Sequence, residues 1–117
     1  MTAAHPATRL APVDSLEAFV LVDNVTDALS TVPKGVVNET ATLLKAGMTK
    51  MSGEAKCCAH HGLSLVLAAS VGGQARCMLF DAGPEAYTVT RNGARLGVPF
   101  GRIEAVALSH GHWDHGG

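Results

Sequence analysis

The chain has 117 residues, nearly half of them apolar, with 9 Lys and Arg against 10 Asp and Glu. That length suits one small domain with one modest core. The composition excludes a disordered chain, and no basic stripe points to nucleic acid. The single Trp, single Tyr and three Phe leave the core to Val, Leu, Ala and Met.

The longest apolar stretch, Leu63 to Ala69, is broken by Ser64. It falls far short of the roughly 20 residues a helix needs to cross a bilayer, so no membrane partner is expected. Residues 1–17 read as a loose leader, and Met1 to Pro12 lacks the apolar run of a secretory signal. Cys57, Cys58 and Cys77 are an odd number with an adjacent pair, a poor disulfide framework. They read as free thiols of a reducing, cytoplasmic compartment.

Ala18 to Asp23 reads as a buried strand, rich in large apolar residues. Asn24 to His60 is too long for a plain loop. It is expected to be an insertion or lid, with a short helix over Thr40 to Met48. Leu63 to Ala69 reads as a second strand and Arg76 to Phe80 as a third, antiparallel to it. The Val71-Gly72-Gly73-Gln74 turn between them can take positive φ. A helix is predicted from Pro84, suited to a first helical position, to about Leu96, with Gly97-Val98-Pro99 ending it. Thr88, Val89, Thr90 and Gly93 are poor helix formers within it. Ile103 to Leu108 reads as a fourth strand.

Strand, helix, strand is a βαβ unit, which makes the third and fourth strands parallel. Their carboxyl ends then share one edge of the sheet, the edge where ligands bind in open α/β folds. Asp81 and His110 both fall there. The expected class is therefore α/β in the broad sense (α+β): a mixed sheet with a hairpin followed by a βαβ unit.

The last eight residues hold His110, His112, Asp114 and His115. Neutral imidazoles and a carboxylate are ligands for Zn, Mn or Fe. On extended backbone, residues two apart face the same way, so His110 and His112 can share one ion, while Asp114 and His115 face a second. Gly111 removes bulk between the first two, and the small flanking residues Ser109 and Gly116-Gly117 let the backbone turn. A solvated histidine-rich tail is the bland alternative, and the position directly after an apolar strand weighs against it. Asp81 can cap the following helix, support the site from behind, or do both. Asp23-Asn24 reads as a polar turn or as a pocket-edge pair. Cys57-Cys58-Ala59-His60-His61 offers four donors in five residues, but adjacent donors cannot easily close a tetrahedral site. Its cysteines read as small buried or loop residues, and His61 as the start of the strand or a pocket lining. Trp113 is expected to pack against the sheet or over the site.

Ser109-His110-Gly111-His112-Trp113-Asp114-His115-Gly116-Gly117 resembles the metal-binding signature of the metallo-β-lactamase superfamily. Leu79-Phe80-Asp81-Ala82-Gly83 is similar to the family's strand followed by Asp-Thr-Gly, with Ala82 in place of Thr. Asn92 to Val98, followed by Ile103 to His110, resembles the lead-in to the signature. Val20 to Asn24 and His61 to Leu65 resemble a branch containing dihydropterin and ribofuranosyl-aminobenzene-phosphate synthase-like metal-dependent hydrolases, from which His60 departs where Glu is frequent. The superfamily resemblance covers about Val20 to Gly117.

The resemblance implies the N-terminal half of an αββα sandwich with a dinuclear site at its edge. His110 and His112 would bind one divalent ion, Asp114 and His115 the other, with Asp81 orienting a ligand or the turn behind them. Zn is the first expectation for both ions, with Mn or Fe as alternatives. Two ions about 3.5–4 Å apart lower the pKa of a shared water toward neutrality, and the hydroxide attacks a small-molecule ester, phosphoester or lactone-like substrate. Asp114 is the candidate catalytic residue, holding the nucleophile's proton. The family's further His and Asp ligands lie downstream and have no counterpart here. The chain therefore reads as an N-terminal fragment, incomplete and inactive alone and prone to self-association. The competing readings are a pterin-pathway synthase-like enzyme of the same fold and a non-catalytic metal-binding remnant.

Overall fold

The computed structural model describes residues 10–117. It is a small α+β domain whose four strands form one mixed sheet in the order β1-β2-β3-β4. The strands are β1 (Ser15–Val22), β2 (Ser64–Val71), β3 (Gln74–Phe80) and β4 (Ile103–Ala107). Helix α1 (Glu39–Lys45) follows β1, α2 (Ala86–Leu96) joins β3 to β4, and α3 (Trp113–Gly116) ends the chain. A 3-10 turn over Phe100–Arg102 leads into β4.

The hairpin forms as its sequence predicts. Gly72 and Gly73 have φ of 58° and 80°. A two-residue turn with both centres positive matches the twist of the flanking strands. The register then runs from Val71↔Gln74 to Leu65↔Phe80. β1 pairs antiparallel with β2 and begins earlier than expected, at Ser15. Asp14 anchors that start: its N–H donates to the Ser70 carbonyl, and its carboxylate accepts from the Gly72 N–H at 2.7 Å. Ser15 to Glu17 of the expected leader thus belong to β1, and its residues 1–9 lie outside the described residues.

β3 and β4 are parallel, as the βαβ order requires. α2 starts two residues later than expected. Glu85, not Pro84, precedes its first turn, and the Glu85 carboxylate accepts from the Thr88 hydroxyl at 2.6 Å. The residues that weaken α2 as a helix are those that pack it. Thr88, Val89, Asn92 and Gly93 are its buried residues. A Cβ at Gly93 would overlap the Phe100 ring, so this glycine is where the 3-10 turn lies against the helix. Gly97 ends α2 in the left-handed conformation.

The core is small. Leu21, Val22, Val66, Leu79 and Val89 form one buried cluster under α2, with Phe19, Leu96, Val98 and Ile103 against it. Phe19, Val66 and Leu79 are cross-strand partners and so share this face. The alternate set, with Leu16 and Val20 on β1, Leu65 and Leu67 on β2 and Met78 and Phe80 on β3, forms the other face. Leu16 and Val20 there are exposed.

Residues 24–60 are held against α2. α1 is capped by Asn38, whose Oδ1 accepts from the Ala41 N–H at 2.9 Å. Beyond it, Arg91 donates to the carbonyls of Lys56 and Gly53, and Arg95 to that of Glu54. Asn92 is fully enclosed. Its Nδ2 donates to the Leu21 and Cys58 carbonyls at 2.8 and 2.9 Å, and its Oδ1 accepts from the Cys58 N–H at 3.0 Å. One amide therefore ties β1, α2 and the returning strap together.

Candidate metal centre

All four strands bring a loop to the same edge of the sheet. β1 and β3 end there, β2 begins there and the parallel β4 ends there. The loops carry Asp23, His61-Gly62, Asp81 and Ser109-His110 respectively.

Asp81 is the centre of this edge. It is 0% exposed, and its φ of 58° is the only positive value of a non-glycine among the described residues. Side chains other than Gly, Asn and Asp rarely accept that conformation. The turn aims the carboxylate at the final loop. Its Oδ1 accepts from the Ser109 N–H at 2.7 Å, and its Oδ2 from the Ser109 hydroxyl at 2.8 Å and His115 Nδ1 at 2.7 Å. The Asp81 N–H in turn donates to Ala107 O at the end of β4. Burial pushes its pKa up, but the Ser109 and His115 hydrogen bonds together outweigh that and hold the carboxyl below its ordinary value. It does not cap α2, which Glu85 precedes; its carboxylate bonds the final loop instead.

The residues after β4 do not continue as a strand. Ser109 to Gly111 bend, and Trp113–Gly116 form a single helical turn. The cluster forms nonetheless. The rings of His110 and His112 have centroids 4.4 Å apart, and those of His110 and His115 are 4.3 Å apart. Asp114 Oδ2 lies 3.5 Å from His115 Nε2. The loop is pinned on its far side, where Ala82 N–H donates to the His115 carbonyl and Gly117 N–H to that of Gly83. Five expected site residues, Asp81, His110, His112, Asp114 and His115, therefore stand together.

Two further residues belong here. His61 Nε2 lies 3.4 Å from Asp114 Oδ2, and its ring stacks on Trp113 at 5.8 Å. Trp113 is 66% exposed, so it flanks the cluster and does not pack against the sheet. Gly62 has φ 110°, and a Cβ there would overlap the Asp114 carbonyl oxygen. Only a glycine lets the start of β2 approach the final loop this closely. Its signal in the sequence was the His61-Gly62-Leu63-Ser64-Leu65 segment, without the reason. By contrast, a Cβ at Gly111 meets nothing within 4 Å, so no close approach there requires a glycine.

Cys57 and Cys58 are not part of the cluster. Their backbone N–H groups bond Glu39 and Asn92 on the α2 side of the strap. All three cysteines are free thiols. Burial, aided by the nearby Glu39 charge, pushes the Cys57 thiol up to about 11. Asp23 bonds its own neighbour, Oδ1 accepting from the Asn24 N–H, as a polar turn does.

Among the described residues, no group of three or more His, Cys, Asp or Glu is placed so that it could hold a metal ion. The donor set fits one in its chemistry. Three imidazoles and a carboxylate converge, one imidazole is braced by a buried carboxylate as metal-bound histidines usually are, and the exposed rings of His110 and His112 can turn toward a shared ion. No protein-family model matches this chain, and no curated protein does.

Proposed function

We propose that this chain carries part of the dinuclear metal site of a metal-dependent hydrolase of the metallo-β-lactamase superfamily, within half of an αββα sandwich. The observation that carries the proposal is the convergence of His110, His112, Asp114 and His115 in front of the buried Asp81, at the edge where β3 and β4 both end. The mixed sheet with a hairpin and a βαβ crossover supports the same reading. His110 and His112 would hold one divalent ion, Asp114 and His115 the second, Zn before Mn or Fe. When bound, such ions supply hydroxide at neutral pH and polarise the electrophile of an ester, phosphoester or lactone-like substrate.

The chain's own residues do the rest. Asp81 holds His115 by its Nδ1, leaving Nε2 toward Asp114. Asp114 would accept the nucleophile's proton, and His61 Nε2 lies beside its carboxylate. Trp113 and His61 form a wall at one side of the cluster, where a small substrate can lie.

Zinc titration with a competing chelator tests the metal reading. The chain is expected to bind zinc weakly, and His110→Ala to abolish that binding. Unchanged affinity in His110→Ala removes these residues from the site. Assays with phosphate esters, lactones and pterin precursors, with and without chelator, test the chemistry. Zinc binding with no chelator-sensitive turnover on any of them favours the metal-binding remnant.

A further inference from the structure

Ser109 stands between Asp81 and His110, and valence alone decides the direction of its hydrogen bonds. The enclosed Asp81 carboxylate receives the Ser109 N–H on Oδ1, and the Ser109 hydroxyl and His115 Nδ1 on Oδ2, all at 2.7–2.8 Å. An ionised carboxylate only accepts, so the one hydroxyl proton of Ser109 goes to Asp81. The Ser109 oxygen then has only lone pairs for its second partner, His110 Nδ1 at 2.9 Å. That contact is a hydrogen bond only when His110 Nδ1 carries a proton. His115 Nδ1, bonded directly to Asp81, carries one for the same reason.

We propose that Ser109 is a positioning residue that sets His110 in its Nδ1–H tautomer. One buried carboxylate thereby orients two neighbouring imidazoles, His115 directly and His110 through a hydroxyl, so that both present the Nε2 lone pair. The purpose of this relay rests on the metal-binding reading above, whereas the tautomers belong to the metal-free chain. His112 supplies an internal comparison: among the described residues no hydrogen bond reaches its ring, which lies edge-on to the ring of His110.

A ring nitrogen's proton is set by the hydrogen bond it makes, and long-range proton–nitrogen NMR reads it directly. Spectra of the metal-free full chain, at a pH of about 8 where unperturbed imidazoles are neutral, are expected to show Nδ1–H on His110 and His115. Ser109→Ala is expected to move His110 to the Nε2–H form and leave His115 as it was. Ser109→Thr keeps the hydroxyl and is expected to restore the wild-type pattern. Zinc affinity should fall about 10–100-fold in Ser109→Ala, the usual cost of losing such a partner, and recover in Ser109→Thr. Nε2–H on wild-type His110, or a His110 signal unchanged by Ser109→Ala, overturns the proposal. If the tautomers respond as stated while no variant binds zinc, the relay stands and the metal-binding reading falls.

Discussion

At Gly62 the backbone has φ 110°, and any side chain would meet the Asp114 carbonyl oxygen. Gly62→Ala is therefore expected to destabilise the chain by about 2–4 kcal/mol, combining backbone strain with overpacking, and to weaken zinc binding. Gly111→Ala meets no neighbour and is expected to leave stability within ~0.5 kcal/mol. Urea unfolding of the two variants checks the contrast, and equal losses would show that the approach of β2 to the final loop is not tight. Asp81 makes a second prediction, in pH. Its folded pKa lies below the ordinary 3.8, so the unfolded chain takes up its proton first as pH falls. The stabilisation from its ion is complete above about 3.8 and is lost as pH falls through the lower folded value. Asp81→Asn should remove that part of the acid transition and lower stability at pH 7 as well. An acid limb unchanged in Asp81→Asn contradicts the assignment.

At the scale of elements, the strands and α2 are legible in the sequence because their signals are local. Gly72-Gly73 sets the hairpin, and the apolar runs flank it. Boundaries move where a tertiary bond decides them: β1 extends back to Ser15 because Asp14 pairs with the hairpin. The path of residues 24–60 was not legible. Its anchors are backbone carbonyls of Gly53, Glu54, Lys56 and Cys58, which carry no residue signature, received by Arg91, Arg95 and Asn92 more than 30 positions later. Asn92 is the joint that can be tested. Asn92→Ala removes the amide partner of the buried Leu21 carbonyl, a group whose loss of its partner costs about 1–3 kcal/mol, and of the part-buried Cys58 N–H and carbonyl, which cost less. A loss of stability with faster hydrogen exchange at Cys58 is expected. Exchange at Cys58 that matches the wild type would mean the strap is held by the arginines alone.

For the whole molecule, the sheet has one face under α2 and another with Leu16, Val20, Leu65, Leu67, Met78 and Phe80, of which Leu16 and Val20 are exposed and the other four half-buried. β1 and β4 are also both edges. Uncovered apolar faces and open edges favour association. The isolated chain is expected to sediment as oligomers or aggregates, and Leu16→Lys with Val20→Lys to shift it toward monomer. A monomer at every concentration, with one cooperative thermal transition, contradicts this.

The chemistry of the candidate site was present in the sequence by itself. Donor types, their spacing and their place after an apolar strand identify His110, His112, Asp114 and His115, and the βαβ order places Asp81 beside them. Tertiary structure alone decided how they are held. The positive φ of Asp81, its bonds to Ser109 and His115, the contact of His61 with Asp114 and the side-chain-free gap at Gly62 all join segments distant in the chain. Spacing along a chain records which donors are available, whereas direction depends on the angle at which separate strands end on one edge.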